Sequence, residues 1–191
     1  MSNDFEEKGY TKVFNFLDKD TVKTMSSYMN NMINRGFCES EANSCVLCNY
    51  KLYADPLVEI LLENLLPDVE NIVNKNLYPT YSFFRVYIKG NALSKHVDRP
   101  ACEYSVSVNV ANEGGNWPIY MQREEEEPSK VVLTPGDAVI YKGCEIKHWR
   151  DTDESVNATA QFMLHYVDKK GPFSGYKFDQ RDSLGLVSIR D

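Results

Sequence analysis

The strongest constraint in this chain is a change of hydrophobic period near Tyr78. Before it, apolar residues recur every three or four positions, which gathers them on one face of a helix. After it, they alternate with polar residues, which gathers them on one face of a strand. Val22, Met25, Met29, Met32 and Ile33 form the first helical stripe, with Asp20 as its expected cap and Gly36 as its stop. Asp55-Pro56 opens a second helix, because proline at the first helical position sacrifices no hydrogen bond. Leu57, Leu61, Leu62 and Leu65 are its expected buried stripe, and Pro67 breaks or kinks it before Val69, Ile72, Val73 and Leu77 resume the period. Residues 37–54 read as loop, with a strand near Val46 to Tyr53.

Beyond Tyr78, residues 80–90 are rich in aromatic and β-branched side chains and end in Gly90. Tyr104 to Val110 alternates with period two. Trp117 to Gln122, Lys130 to Leu133, Ala138 to Tyr141 and Ala158 to Val167 are further strands, and Pro135-Gly136-Asp137 is a turn. Helices followed by many short strands of antiparallel type imply a mainly β fold with N-terminal helices, a β-sandwich or jelly roll. The expected organisation is a single domain over 1–191. Supporting helices and loop occupy 1–77, the jelly-roll core 78–168 and a C-terminal tail 169–191. That tail, with Gly171, Pro172, Gly175 and Gly185, reads as an irregular wrap or a partner-binding segment.

A chain of 191 residues with 42% hydrophobic content is long enough for one real core. Its net charge of -7 repels phosphate backbones and argues against nucleic acid as partner. No stretch reaches the roughly 20 apolar residues of a membrane helix. The acidic start lacks the apolar run of a signal peptide, so a cytoplasmic protein with no membrane partner is expected. Five cysteines, an odd number, argue against a disulfide framework. Cys45 and Cys48 form a C-x-x-C without a second pair at zinc spacing, and read as reduced thiols in a loop. The acidic run Glu124 to Glu127 reads as a solvated connection.

The chemistry centres on histidine, of which there are three. In His96-Val97-Asp98 an imidazole and a carboxylate stand two positions apart, so on extended backbone they face the same way. His148 follows the Pro-Gly-Asp turn and an apolar strand. Two imidazoles and one carboxylate on one face of an octahedron leave three positions open, a set that suits non-haem Fe(II). Ser105, Ser107 and Asn109 share one face of their strand. Either that face lines a polar cavity, or the Val106/Val108 face is core and the serines see water.

Residues 80–168 resemble the iron- and 2-oxoglutarate-dependent dioxygenase superfamily, on a double-stranded β-helix. Arg85 to Asn91 followed by His96-Val97-Asp98 resembles its prolyl-hydroxylase branch. Leu133 to Ala138 leading to His148 resembles the strand before the distal histidine, and Gln161 to Asp168 the last core strand. The resemblance implies His96, Asp98 and His148 as catalytic metal ligands, with Fe(II) and 2-oxoglutarate as cofactors. It further implies dioxygen and an unidentified peptide or small-molecule substrate, hydroxylated at an unactivated C–H bond of a protein side chain, peptide or amino acid. One departure stands out. The family places an Arg or Lys near the start of the last strand, to pair with the distal carboxylate of 2-oxoglutarate, and Asn157 to Gln161 contains none. Arg150, two beyond His148, is the expected replacement, with Tyr87 and Asn109 as further cosubstrate contacts. Tyr87 reads equally well as a core aromatic. Arg99 is placed to meet an anionic substrate, or to pair with a loop acid such as Glu103. His165 reads as a core or cavity-lining histidine. The competing function is a non-catalytic or sensor jelly roll that binds a metal and 2-oxoglutarate without turnover. Oligomeric state is not legible.

Overall fold

The computed structural model describes residues 4–42, 46–152, 154 and 156–185. Among them the strands are β1 (Tyr10–Val13), β2 (Glu39–Ala42), β3 (Val46–Tyr53), β4 (Leu77–Ile88), β5 (Ala92–His96), β6 (Tyr104–Glu113), β7 (Ile119–Arg123), β8 (Ser129–Val131), β9 (Ala138–Lys142), β10 (Ile146–Arg150) and β11 (Ala158–Asp168). The helices are α1 (Asp4–Lys8), α2 (Lys19–Asn34), α3 (Pro56–Asn64) and α4 (Leu66–Val73). Every strand pairing is antiparallel.

The ladder runs β1-β9-β6-β11-β4-β3, continues through β3 to β5, and ends β5-β10-β7-β8, with β2 on β3. The eight strands β4 to β11 therefore divide between a larger layer (β9-β6-β11-β4) and a smaller one (β5-β10-β7-β8), and the chain passes repeatedly from one to the other. This is the expected jelly roll, a double-stranded β-helix over which the N-terminal helices pack.

The alternation read from the sequence decides what each layer faces. Val106, Val108, Phe162, Leu164 and Phe84, all fully buried, turn outward from the larger layer onto Met25 and Met29 of α2, Val58 and Leu62 of α3, and Val69 of α4. Ser105 and Ser107 turn the other way, between the layers, and are equally buried. The valines are core, but the serines do not see water: they are buried in the interior, where Ser107 lines the cavity.

Local chemistry explains the helix ends, with two corrections. The α2 cap is Asp18, not Asp20. Its carboxylate accepts from the backbone N–H groups of Asp20 and Thr21, at 2.9 Å each, so Asp20 falls in the first turn. In α3, Asp55 caps and Pro56 sits in the first turn as expected. The buried side is Val58, Glu59 and Leu62, however, and Leu57, Leu61 and Leu65 are only partly covered. The helix is turned by a buried ion pair: Glu59, 1% exposed, accepts from the Arg181 guanidinium at 2.5 Å and from the Gly185 N–H at 2.5 Å. The tail is thus a wrap as far as it is described. It crosses β4 through the 3-10 segment Ser174–Gln180 and is fixed at Arg181. The edge strand β1 and the short β5 have no periodic signal in the sequence. Cys45 of the C-x-x-C lies outside the described residues, and Cys48 is buried, its sulfur 3.2 Å from the Tyr50 carbonyl and 3.4 Å from that of Val86. No described helix is long and apolar enough to cross a membrane.

Candidate metal centre and its cavity

His96 closes β5, and His148 lies directly opposite it on β10. The antiparallel register brings their rings to 4.3 Å between centroids. Asp98, two residues past His96, is pinned by its backbone: its N–H donates to the Gly143 carbonyl at 2.8 Å. Only glycine fits at 143, since a Cβ there would stand 2.1 Å from the Cys102 carbonyl oxygen and 2.7 Å from Asp98 Oδ2. Asp98 Oδ1 is 3.6 Å from His96 Nε2 and 3.5 Å from His148 Nε2. These separations are long for hydrogen bonds and short enough for three ligands to share one ion.

Each imidazole is oriented by its own strand. His96 Nδ1 meets the Ser94 carbonyl at 2.7 Å, and His148 Nδ1 meets the Ile146 carbonyl at 3.0 Å. A carbonyl only accepts, so Nδ1 carries the proton and Nε2 presents its lone pair to the shared point. Burial would raise the Asp98 carboxyl. The imidazoles of His148 and His96 outweigh it and hold Asp98 well below the usual carboxylate range. The donor set, its orientation and its ionisation all fit a divalent metal.

The three residues open into a cavity of about 290 Å³ between the two layers. One wall is β4, whose alternation sets Tyr81, Phe83, Arg85 and Tyr87 along the lining. Gln161, Met163 and His165 of β11, Ser107 and Tyr141 complete the larger layer's side. Leu93 and Ile119 supply apolar surface from the smaller one. The Tyr87 hydroxyl is fully enclosed and has no hydrogen-bond partner among the described residues, and its ring meets Trp117 edge-on at 5.1 Å. Burial raises its pKa, against the pull of the Arg85 and Arg150 guanidiniums.

Arg150 turns inward, but it ends behind the cavity wall and is not part of the lining. The pairing of β10 with β5 is irregular here, but the extra residue lies on β5, between Leu93 and His96, so β10 keeps its alternation and buries Ile146, His148 and Arg150 on one side. Its Nη2 donates to Gln161 Oε1 at 2.7 Å, its Nη1 to the Trp117 carbonyl, and burial lowers its pKa to about 10. Because Gln161 Oε1 is taken by Arg150, the amide N–H₂ is left for the cavity. Asn109 is likewise outside the lining. It is buried near the Pro135-Gly136-Asp137 turn, with its amide donating to Asn112 Oδ1 at 2.8 Å. Arg85, opposite Gln161 in the β4–β11 ladder, does line the cavity. The sequence held a signal for it, since Arg85 shares the parity of Tyr87.

Arg99 stands at the cavity mouth and pairs with Asp179 of the tail, not with Glu103. Glu103 instead accepts from the Asp168 N–H at 2.8 Å. His165 lines the cavity, its ring tilted 35° against that of Tyr81 at 4.6 Å between centroids, and burial lowers its pKa to about 4. Its Nδ1 is 2.9 Å from Ser105 Oγ, which donates to Asp98 Oδ2 at 3.0 Å.

No family model and no curated protein matches this sequence. Solved structures do. A Pseudomonas putida prolyl-4-hydroxylase superposes with a TM-score of 0.70 at 13% identity, over 87% of this chain and 96% of that one. A Trichoplax adhaerens prolyl hydroxylase, in complex with a hypoxia inducible factor oxygen degradation domain peptide fragment, gives 0.73 at 13% identity over 88% and 87%. EctD from S. alaskensis with bound Fe gives 0.70 at 14% identity over 96% and 84%. The chain has the jelly-roll fold of the Fe(II)/2-oxoglutarate oxygenases, with prolyl hydroxylases among its structural neighbours.

Proposed function

We propose that this protein is an Fe(II)- and 2-oxoglutarate-dependent dioxygenase that hydroxylates an unactivated C–H bond of a peptide, protein side chain or amino-acid-like molecule. The observation that carries the reading is the convergence of His96, Asp98 and His148 on one point, at the floor of a cavity between the two layers of this fold. When bound, iron with 2-oxoglutarate and dioxygen supplies the oxidising chemistry.

The chain's own residues bind, orient and dry the site. His96 Nε2, His148 Nε2 and Asp98 Oδ1 would hold the metal and leave one side of it open to the cavity. Arg85, the orphaned Tyr87 hydroxyl and the Gln161 amide form a donor cluster at the inner end, where a carboxylate of 2-oxoglutarate would be received. Arg150 acts from behind, fixing the Gln161 amide so that its N–H₂ faces the ligand. Leu93, Ile119 and Met163 keep the chamber apolar elsewhere.

Anaerobic titration with Fe(II) and then 2-oxoglutarate tests this. A visible metal-to-ligand charge-transfer band is expected, lost in His96→Ala. It should need several-fold more 2-oxoglutarate in Arg85→Gln than in Arg150→Gln. Iron binding without the band would remove the oxygenase reading. The band without succinate formation, across a panel of peptides and amino acids, would favour a sensor.

A further inference from the structure

The cavity wall on β4 has a cation at each end. Two-residue steps along a strand are roughly 7 Å, so Tyr81, Phe83 and Arg85 are spaced like successive groups of a ligand. The Arg85 guanidinium lies 4.9 Å from the centre of the Phe83 ring, Phe83 meets Tyr81 edge-on at 5.5 Å, and Arg99 lies 4.5 Å from the Tyr81 ring. Tyr53 widens the aromatic surface, 5.2 Å from Tyr81 and 5.3 Å from Phe83. The inner cation belongs to the cosubstrate end. The outer one, Arg99, already holds a carboxylate, and that carboxylate is the chain's own.

Asp179 takes both Arg99 Nη groups, at 2.7 and 2.8 Å, and accepts the Tyr53 hydroxyl at 2.5 Å. It is delivered by a surface segment that packs on the fold through Tyr176, against Tyr81, Ala101 and Cys102. No residue of Ser174–Gln180 is buried. Phe178, Asp179 and Gln180 have φ of 55°, 55° and 62°, a run of left-handed conformations that L residues adopt reluctantly. The firm anchor lies beyond it, at Arg181 on buried Glu59. The Arg99 side chain is 47% exposed and that of Asp179 13%, so solvent reaches the guanidinium side of this bidentate pair and screens it.

The geometry points to an anion subsite at the cavity mouth, in which Arg99 and Tyr53 receive a substrate carboxylate. The apolar or ring-bearing body of that substrate lies on Tyr81 and Phe83, and Asp179 is the internal occupant it displaces. This rests on the oxygenase reading only in giving the inner end to the cosubstrate. The substrate class is a carboxylic acid with an apolar body, free or at the end of a chain.

The probe is phenylacetate, with phenylacetamide as its uncharged counterpart, titrated into the metal-free full-length protein by calorimetry. Asp179→Asn is expected to bind phenylacetate roughly three- to tenfold more tightly than the unaltered protein. Arg99→Gln should abolish this gain, Arg85→Gln should leave it, and the amide should not compete. Hydrogen exchange in residues 174–180 should rise when phenylacetate binds. Affinity that follows Arg85 and not Arg99, equal binding of acid and amide, or no binding even in Asp179→Asn would each overturn the proposal. None of these outcomes depends on the charge-transfer band, so the subsite and the oxygenase reading fail separately.

Discussion

The two faces of β4, β6 and β11 come from the same residues in alternation, yet they obey opposite rules. The face under the helices is closed and apolar, with Phe84, Val106, Val108, Phe162 and Leu164 fully buried. The face toward the cavity carries Arg85, Ser105, Ser107, Gln161 and His165, which are polar and, apart from Arg85, also buried. Polar groups taken from water cost free energy unless they are paired, so the second face persists as a network of partners while the first persists through packing. Stability and chemistry are thereby separated by a single step along the chain.

The sharpest way to break that contrast is to delete one side chain from each face. Phe162 and Ser107 sit on adjacent ladder rungs of β11 and β6, with Phe162 opposite Val108 and Ser107 opposite Met163. Phe162→Ala should destabilise by about 3–5 kcal/mol, because it empties a packed site under the helices. Ser107→Ala removes only a long contact of 3.4 Å to Gln161 Oε1 and should cost about 1 kcal/mol or less. Urea unfolding with unchanged m values measures both. Equal losses would mean that the cavity face also carries the fold.

A second difference is acid sensitivity. Burial lowers the His165 pKa from 6.5 to about 4, so the folded protein keeps this imidazole neutral where the unfolded chain protonates it. The unfolded state then binds more protons, and stability falls as pH drops. The full contribution is present above pH 6.5. It is lost through the window down to about 4, at no more than roughly 1.4 kcal/mol per pH unit. His165→Asn should flatten the stability profile of the metal-free protein across that window. An unchanged slope would place the acid sensitivity elsewhere. His96 cannot imitate this, since its pKa is raised: burial pulls it down, and Asp98 with the Ser94 carbonyl outweighs that. Its contribution is present below pH 6.5 and is lost as pH rises.

Period two and the pairing of His96 with Asp98 made much of this legible from sequence, because both depend on backbone geometry over two residues. What lay beyond sequence depends on longer reach. Arg150 has the right parity and does turn inward, but its guanidinium is taken up by Gln161 and the Trp117 carbonyl, partners that sequence parity does not reveal, while Arg85 of β4 lines the cavity. Glu59 reads as a surface acid on an amphipathic helix until Arg181, 122 residues later, closes over it. Asp179 sits in a segment with no period at all, so nothing local announces that it reaches Arg99. Gly143 is legible only once the Cys102 carbonyl and the Asp98 carboxylate are seen against it.

The smallest expected effect asks whether the polar face orders the metal ligands or merely tolerates burial. Ser105 Oγ has two pure acceptors in reach, Asp98 Oδ2 at 3.0 Å and the Cys102 carbonyl at 3.2 Å, and the ionised carboxylate is the nearer and the stronger of them. The serine oxygen then accepts from His165 Nδ1–H. The chain of bonds runs from β11 through β6 to the ligand and fixes which carboxylate oxygen faces the imidazoles. Ser105→Ala should weaken Co(II) binding, measured by equilibrium titration of the visible bands, by roughly ten- to a hundredfold, the usual cost of losing a partner behind a metal ligand. His165→Asn places an amide N–H where Nδ1–H stood and should remain close to the unaltered protein. His165→Ala should follow Ser105→Ala. If Ser105→Ala binds Co(II) normally, the backbone bond from Asp98 to Gly143 holds the carboxylate by itself, and the polar face serves the cavity without ordering its metal.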